Sequence, residues 1–529
     1  MRPHRRPFAP ALAIVLSLCS AALFSQARPQ PSPTAAPSGE KSSDPEKDKG
    51  RDRKPEEKTA QPEKPPSITH HEIKVDGKPL RYTATAGYMP MKDEEGKLKA
   101  NIFFVAYTKE GGGARRPITF TFNGGPGSSS VWLHLGAVGP KRVLMTDEGK
   151  PLPPPYRLVD NDYTWLSWTD LVFIDPVTTG YSRPATGEKP EQFHGLEEDL
   201  QSVGEFIRLF ATKYSRWASP KFLAGESYGT TRAAGLSGYL QERYGMWLNG
   251  IVLISSILNF QTTDFAVGND LPYVTFLPSY TTTAWYHKRL PADLQADFRK
   301  ALEESEKFAS SEYTLALMKG SQLSDAERKS VAARVARLTG LSPGFVEAND
   351  LRVTLPRFTK ELLRSERRTI GRLDSRFQGI DRDAAGERSE YDPSYAAIYG
   401  PYTAMINDYT RSELKYENDI PYEILTSRVR PWNYGTSQNR YVNVAETLRG
   451  AMSQNQFLKV FVAAGYYDFA TPFYAAEYTF NHLQLDPALA RNIRLEHYES
   501  GHMIYIHKPS MEKMTKDVEA FYRDAVPEK

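Results

Sequence analysis

Residues 221–235 read KFLAGESYGTTRAAG, and this segment determines how the whole chain is interpreted. The run at 221–224 predicts a buried strand, and a helical pattern begins at Thr230. A Gly-x-Ser-x-Gly motif between a strand and a helix predicts a sharp turn that exposes the serine at the edge of a sheet. Ser227 is therefore the predicted nucleophile, and an ordinary turn serine is the alternative.

The same motif occurs a second time, at residues 340–344, in a different context. A helical segment precedes it, and Pro343 follows Ser342 directly. Serine is favoured just before a helix and proline is tolerated at the first helical position, so Ser342 is predicted to cap a helix.

Short apolar runs alternate with helical patterns on both sides of the Ser227 segment. This alternation predicts a mostly parallel sheet that is covered by helices on both faces. Residues 70–108 instead read as antiparallel strands with glycine-containing turns at 76–77 and 95–96. The apolar runs are 117–122, 170–175, 221–224, 250–258, 457–463 and 493–498, and the helical stretches are 196–214, 229–244, 472–483 and 509–524.

One long segment interrupts this alternation. Between about residues 260 and 445 there is no clear buried strand, and residues 291–365 are helical and charged. We therefore expect an α/β core in two parts, residues 68–259 and 446–529, with a helical cap inserted at 260–445.

The first residues predict export. Residues 1–27 have the layout of a secretory signal peptide, with three arginines, an apolar run at 11–23, and the small residues Ser25 and Ala27 before the cleavage point. An uncleaved membrane anchor is the alternative. Residues 28–67 are rich in proline and charge, which predicts a disordered linker.

Charge and cysteine content limit the classes of partner. The net charge is +3, and removal of residues 1–27 takes away three arginines and no acid, which leaves zero. A neutral chain offers no electrostatic reason to bind nucleic acid or an anionic membrane. The single cysteine, Cys19, lies in the signal segment, so a processed chain would have no disulfide, and no Asn-x-Ser/Thr acceptor occurs. These features favour a bacterial periplasm or exterior. The histidines are scattered, so no metal or cofactor is expected.

A glycine-rich turn, NGGPG at residues 123–127, follows the predicted strand at 117–122. In such positions a backbone N–H can point toward a developing oxyanion. We predict that Gly125 and Tyr228 supply the two N–H donors. A phosphate-binding loop is excluded because no Lys-Ser/Thr follows, whereas a plain tight turn stays open as an alternative.

The acid and the base should follow the serine along the chain, in that order. Asp468 comes after the apolar run at 457–463, and His502 comes after the run at 493–498. His502 would accept the proton of Ser227, and Asp468 would orient the imidazole. The competitors are Asp175 for the acid, and for the base His497, within a predicted strand, and His507, at the start of the last helix.

Together these residues resemble the serine carboxypeptidase family of the α/β-hydrolase superfamily. The resemblance covers roughly residues 68–525 and rests mainly on NGGPG together with GESYG at 225–229. Further matches are Ser128-Ser129, Gly139-Pro140, FIDPV at 173–177, Gly180-Tyr181-Ser182, Asp468 with Pro472, and Gly501-His502-Met503. It implies an α/β-hydrolase fold with a mostly parallel central sheet and a helical cap.

The resemblance also implies a site for the substrate's C-terminal carboxylate, at Asn123 and Glu226 with the N–H of Gly124 alongside. A carboxyl group can donate to a carboxylate only when it is protonated, so we expect acidic pH to favour peptide cleavage. The chain departs from the family at two positions. Ser128 stands where a disulfide cysteine is usual, and Ala137 stands where the family tends to have a second Glu that shares a proton with the first.

The predicted function is that of a secreted serine carboxypeptidase, acting on peptides or proteins with a free C-terminus through an acyl-enzyme on Ser227. One alternative is another serine hydrolase on the same fold, namely an esterase, an acyltransferase or a proline-releasing aminopeptidase. The last normally has His where this chain has Asn123. A second alternative is an exported binding protein without catalysis. The sequence leaves open whether the protein is a monomer or a homodimer.

Overall fold

The computed structural model describes residues 65–526. The predicted signal segment at 1–27 and nearly all of the predicted linker at 28–67 lie outside them. The strands within the described residues are β1 (Ser67–Val75), β2 (Lys78–Lys92), β3 (Leu98–Lys109), β4 (Ile118–Phe122), β5 (Lys141–Val143), β6 (Leu158–Asp160), β7 (Asp170–Ile174), β8 (Arg183–Pro184), β9 (Lys221–Ser227), β10 (Gly250–Ser256), β11 (Thr369–Ile370), β12 (Gln378–Gly379), β13 (Lys459–Gly465) and β14 (Ile493–Tyr498).

The α-helices of the same residues range from single turns to five turns. They are α1 (Val131–Leu133), α2 (Leu196–Lys213), α3 (Tyr228–Tyr244), α4 (Leu271–Tyr286), α5 (Ala292–Gln295), α6 (Phe298–Phe308), α7 (Thr314–Lys319), α8 (Asp325–Thr339), α9 (Pro343–Ala348), α10 (Leu355–Glu361), α11 (Pro393–Ser412), α12 (Ala445–Gln454), α13 (Phe473–Asn481), α14 (Pro487–Ala490) and α15 (Lys508–Ala525). Among residues 65–526, no helix has the length and apolar character needed to cross a membrane.

Ten strands form one sheet in the order β1-β2-β3-β7-β4-β9-β10-β13-β14, with β8 beside β3. All neighbours from β7 to β14 pair in parallel, whereas β1, β2, β3 and the β3–β7 contact are antiparallel. Every residue of β4, β7 and β10 is buried, as expected for strands that are covered on both faces. The prediction of a mostly parallel sheet between helices is confirmed.

Two apolar clusters cover the two faces of this sheet. Successive side chains of a strand point to opposite faces, so Phe103 of β3 joins one cluster and Phe104 joins the other. The first cluster contains residues of α11 and α15, and the second contains residues of α2, α3 and α12. The elements that carry Ser227 are therefore held between two packed layers.

Helices α4 to α10 build a third cluster of their own, which includes Phe276, Leu338 and Phe358. Helix α11 behaves differently, because its Tyr402 and Tyr409 pack into the cluster on the sheet. Between β10 and β13, helices α4 to α10 thus pack mainly on one another, whereas α11 packs on the sheet. The boundaries of the cap at residues 260 and 445 stay a prediction.

Strand β13 begins two residues later than the apolar run at 457–463 suggests. Asn455 closes α12 with its N–H on the carbonyl of Ala451, and its side-chain oxygen accepts from the N–H of Phe457. This turn points Phe457 outward, with 82% of its surface exposed. The predicted cap of the second motif is confirmed, since the hydroxyl of Ser342 accepts from the N–H of Phe345 at the start of α9.

Candidate active site

Ser227 lies at the turn between β9 and α3, at the carboxyl ends of the parallel strands. Its φ of 60° and ψ of −131° are rare for a residue with a side chain, which marks the turn as strained. A Cβ on Gly225 would overlap the carbonyl of Gly229, so the turn can close only with glycine at position 225. The motif therefore forms the sharp elbow that the sequence predicts.

His502 and Asp468 lie on the loops that follow β14 and β13. The Nδ1 atom of His502 is 2.7 Å from Oδ2 of Asp468. Because Nδ1 faces a carboxylate it carries the hydrogen, and Nε2 is left as a proton acceptor. Asp468 is fully buried. Its Oδ1 accepts the N–H groups of Ala470 and Thr471 at 2.7 and 3.0 Å.

Thr471 is a further contact of this pair that the sequence did not reveal. Its hydroxyl donates to Oδ2 of Asp468 at 2.7 Å and lies 3.3 Å from Nδ1 of His502. It comes three residues after Asp468 on the same loop, where the N–H of Thr471 also donates to the Asp468 side chain, a common local side chain–backbone bond. The hydroxyl holds the carboxylate in the orientation that faces the imidazole.

The pKa of His502 results from opposing effects. Burial lowers this pKa, but the charge of Asp468 and its hydrogen bond, with a contribution from Glu226, outweigh burial and raise it above the ordinary value for histidine. Arg372 acts in the opposite direction and lowers the pKa. A base of this kind accepts a proton readily once it is neutral.

The loop of His502 is fixed by a segment far away in the sequence. The His502 N–H donates to the carbonyl of Leu373 at 2.6 Å, and the N–H of Gly501 donates to Oδ2 of Asp374 at 3.2 Å. Asp374 is itself buried and paired with Arg376 at 2.7 Å. The base is thus positioned through hydrogen bonds to backbone and to a buried ion pair.

The glycine turn at residues 123–127 directly follows β4 and approaches the elbow closely. A Cβ on Gly124 would overlap the backbone nitrogen of Tyr228. Gly125 and Tyr228 line one cavity together with Ser227. As the first residue of α3, Tyr228 has an N–H without an acceptor inside the helix. The two predicted N–H donors are therefore brought together beside the serine, as an oxyanion site requires.

Glu226, which precedes the serine, points into a buried environment and is only 3% exposed. Burial raises the pKa of its carboxyl group to about 7, although His502, Tyr505 and Asn123 each lower it. The side-chain oxygen of Asn123 accepts from the N–H of Leu133 at 3.1 Å, which leaves its amide N–H₂ to face the carboxyl group. Burial, with a contribution from the charge of Asp468, thus raises this pKa, although Ala137 provides no second carboxylate.

Two chambers meet at Ser227. The larger has a volume of about 690 Å³ and is lined by Asn123, Gly124, Glu226 and His502 among others. The smaller, about 280 Å³, is mostly apolar and aromatic, with side chains from the loop before α4, from α4, from α10 and from the Asp468 loop. The two share Gly125, Ser227, Arg372 and Ala470. A bound chain could therefore place one residue on each side of the serine.

The competing residues lie elsewhere. Asp175 accepts from the N–H and hydroxyl of Ser130 at 2.9 and 2.8 Å, and it contacts no histidine. His497 lies in β14 beside Glu477, and His507 precedes α15 and contacts Ser510. In residues 65–526 no three His, Cys, Asp or Glu side chains converge as a metal site would need.

Comparison with known proteins identifies the family. The serine carboxypeptidase family model matches residues 75–514. The chain belongs to the serine carboxypeptidase family. The match covers the glycine turn, the Ser227 motif and the loops of Asp468 and His502, so the resemblance that the sequence suggested is confirmed.

Curated members of the serine carboxypeptidase family are similar over part of their length. Pheromone-processing carboxypeptidase KEX1 of Cryptococcus gattii is 28% identical over 35% of this chain and 26% of its own. KEX1 of Saccharomyces cerevisiae is 31% identical over 27% of this chain and 20% of its own. Carboxypeptidase Y of the same yeast is 27% identical over 29% of this chain and 26% of its own. The matches thus span about a quarter of each relative.

A solved structure extends the likeness to most of the chain. The crystal structure of Kex1(delta)p, a prohormone-processing carboxypeptidase from Saccharomyces cerevisiae, covers 84% of this chain and 91% of its own at 17% identity, with a TM-score of 0.52. At this identity the likeness shows the fold, and it confirms the expected α/β-hydrolase architecture.

Proposed function

We propose that the protein is an exported serine carboxypeptidase that releases the C-terminal residue of peptides through an acyl-enzyme on Ser227. One observation carries the proposal. A buried carboxyl group, Glu226, and the amide of Asn123 line the same chamber as Ser227 and His502. Such a pair can bind a carboxylate next to the scissile bond, whereas ester hydrolysis has no need of it. Export rests on the sequence of residues 1–27.

The geometry supports the following reaction. Ser227 Oγ attacks the carbonyl carbon of the last peptide bond as its proton passes to Nε2 of His502. The carbonyl oxygen becomes an oxyanion and accepts the N–H groups of Gly125 and Tyr228. When the C–N bond breaks, the imidazolium of His502 returns its proton to the leaving amine. Water, deprotonated by the neutral His502, then attacks the acyl carbon. The bond from this carbon to Ser227 Oγ breaks, and the imidazolium returns its proton to Oγ as the product acid leaves.

The roles of the other residues follow from their contacts. Asp468 keeps the hydrogen of His502 on Nδ1 and stabilises the imidazolium. Asn123, the N–H of Gly124 and protonated Glu226 hold the terminal carboxylate in the larger chamber. The residue before the scissile bond would occupy the smaller, apolar chamber.

The test uses a blocked dipeptide with a free C-terminus and the same dipeptide as its C-terminal amide, at about pH 5 and about pH 7.5. We expect release of the C-terminal residue from the free acid only, and loss of this activity in Ser227→Ala. Hydrolysis of simple esters with neither peptide cleaved would assign the site to an esterase. Failure of a fluorophosphonate probe to label Ser227 would indicate a binding protein without catalysis.

A further inference from the structure

Glu226 has one hydrogen-bond donor that neither the motif nor the proposed reaction accounts for. The hydroxyl of Tyr505 donates to Oε2 of Glu226. Tyr505 is 2% exposed and lies in a short 3-10 turn, Ile504–Ile506, three residues after His502. The same loop therefore carries the base and a group that contacts the proposed carboxylate site.

The position of Tyr505 is fixed by a close backbone approach. A Cβ on Gly136 would overlap the ring of Tyr505 and would lie 2.8 Å from the hydroxyl of Tyr402. Ala137, the next residue, is buried and has no polar side chain. The phenol of Tyr505 is thus held between the backbone at Gly136 and the carboxyl group of Glu226.

We infer that Tyr505 is a positioning residue of the carboxylate site, whose hydroxyl holds Oε2 of Glu226 so that Oε1 faces the terminal carboxylate of the substrate. The inference rests on the proposed carboxypeptidase function.

The chemistry of the two groups explains the orientation. Burial, with the nearby Glu226, raises the pKa of Tyr505 well above its ordinary value, so the phenol stays protonated and acts as a donor. A phenol donates a stronger hydrogen bond to the carbonyl oxygen of a carboxyl group than to the oxygen that carries the proton. When Oε2 accepts from Tyr505, the proton of Glu226 is therefore favoured on Oε1, where it can reach a substrate carboxylate.

The same bond lowers the pKa of Glu226, against the larger effect of burial, and so influences the pH range in which the site works. Glu226 is faced by His502, Tyr505 and Asn123, which lower its pKa, and by Asp468, which raises it. Tyr402 also lies near, on α11. Removing the hydroxyl of Tyr505 takes away a donor that favours the ionised form, so the pKa of Glu226 should rise in Tyr505→Phe.

The kinetic test compares Tyr505→Phe with Tyr402→Phe, a second buried tyrosine beside Gly136 that makes no hydrogen bond to Glu226. For the free-acid peptide, Tyr505→Phe should move the basic limb of kcat/KM upward by about one pH unit and raise KM several-fold at about pH 5. Hydrolysis of an ester without a terminal carboxylate should keep its profile. Tyr402→Phe should behave as wild type with both substrates.

Three results would overturn the inference: an unchanged limb and KM in Tyr505→Phe, an equal change with the ester, or the same change in Tyr402→Phe. The first shows no role for the hydroxyl, and the other two show a general structural effect.

An infrared titration separates this inference from the proposed function. The C=O stretch of protonated Glu226, assigned by its loss in Glu226→Gln, is followed against pH in wild type and in Tyr505→Phe. If the midpoint for Glu226 is higher in Tyr505→Phe but the wild-type protein cleaves no peptide, the role of Tyr505 is supported and the carboxypeptidase proposal is wrong. If the wild-type protein cleaves peptides but the midpoint is the same in both proteins, only the inference about Tyr505 is wrong.

Discussion

Arg232 of α3 donates from Nη1 to the backbone carbonyl of Asn123 at 2.6 Å. Its Nε donates at 2.7 Å to Asp199 of α2, and the two charged side chains are 1% and 2% exposed. Five residues after Ser227, one buried cation therefore joins the helix of the nucleophile to the glycine turn. We expect the position of the glycine turn relative to Ser227 to depend on this tie.

We expect Asp199→Ala to destabilise the protein by about 3–5 kcal/mol, because it leaves the charge of Arg232 buried without its partner. Denaturant unfolding measures the loss. The matched control is Glu446→Ala, which removes a partner of Arg449 from an exposed pair and should change the free energy of unfolding by about 0.5 kcal/mol or less. Equal effects of the two substitutions would contradict a special role for the buried pair.

Thr471 should matter to the rate of the chemical step. Thr471→Val keeps the shape of the side chain and removes the donor to Asp468, so kcat should fall about tenfold, whereas Asp468→Asn should lower kcat by about 10⁴. Thr471→Ser retains a hydroxyl and should recover most of the activity. A normal kcat in Thr471→Val, measured at saturating peptide, would show that the backbone N–H groups of Ala470 and Thr471 are enough to orient Asp468.

The pH profile should have limbs of different origin. Above the pKa of Glu226, about 7, its carboxyl group loses the proton that it donates to a substrate carboxylate, so cleavage of free-acid peptides should fall. Below the raised pKa of His502, the base is protonated and the rate also falls. Free-acid peptides should therefore be cleaved best between these two limbs.

Glu226→Gln should change both limbs. The amide donates at any pH, so the basic limb should disappear. Removal of the carboxylate also removes a charge that favours the imidazolium, so the acid limb should move to lower pH. Profiles of kcat/KM from about pH 4 to about pH 9 measure both shifts. If the variant keeps the wild-type profile, Glu226 does not act through its proton.

The sequence predicted those site residues that lie at the carboxyl ends of strands in the sheet. Ser227 ends β9, Asp468 follows β13 and His502 follows β14, and local patterns mark both the strands and the turns. Supporting contacts between distant segments left no local pattern: Gly501 with Asp374 across 127 residues, and Tyr505 with Glu226 across 279. Thr471 lies close to Asp468 in the sequence, and Arg232 is the lone charge among the small residues at 229–235, but neither was singled out from the sequence.

The last prediction concerns Arg372, whose guanidinium lines both chambers. Within residues 65–526 its side chain has no ion-pair or hydrogen-bond partner, whereas its backbone N–H donates to Asp392. The charge of Arg372 lowers the pKa of His502. Arg372→Gln should therefore move the acid limb of kcat/KM upward by a few tenths of a pH unit, a small shift because the side chain is exposed and screened by solvent.

Arg430→Gln is the matched control, because Arg430 is also exposed but lines only the larger chamber. It should leave the acid limb in place. The shift in Arg372→Gln should also shrink at about 1 M salt, where the screening length falls to about 3 Å. A shift that persists at high salt, or one of equal size in both variants, would mean that Arg372 acts on His502 through the shape of the loop rather than through its charge.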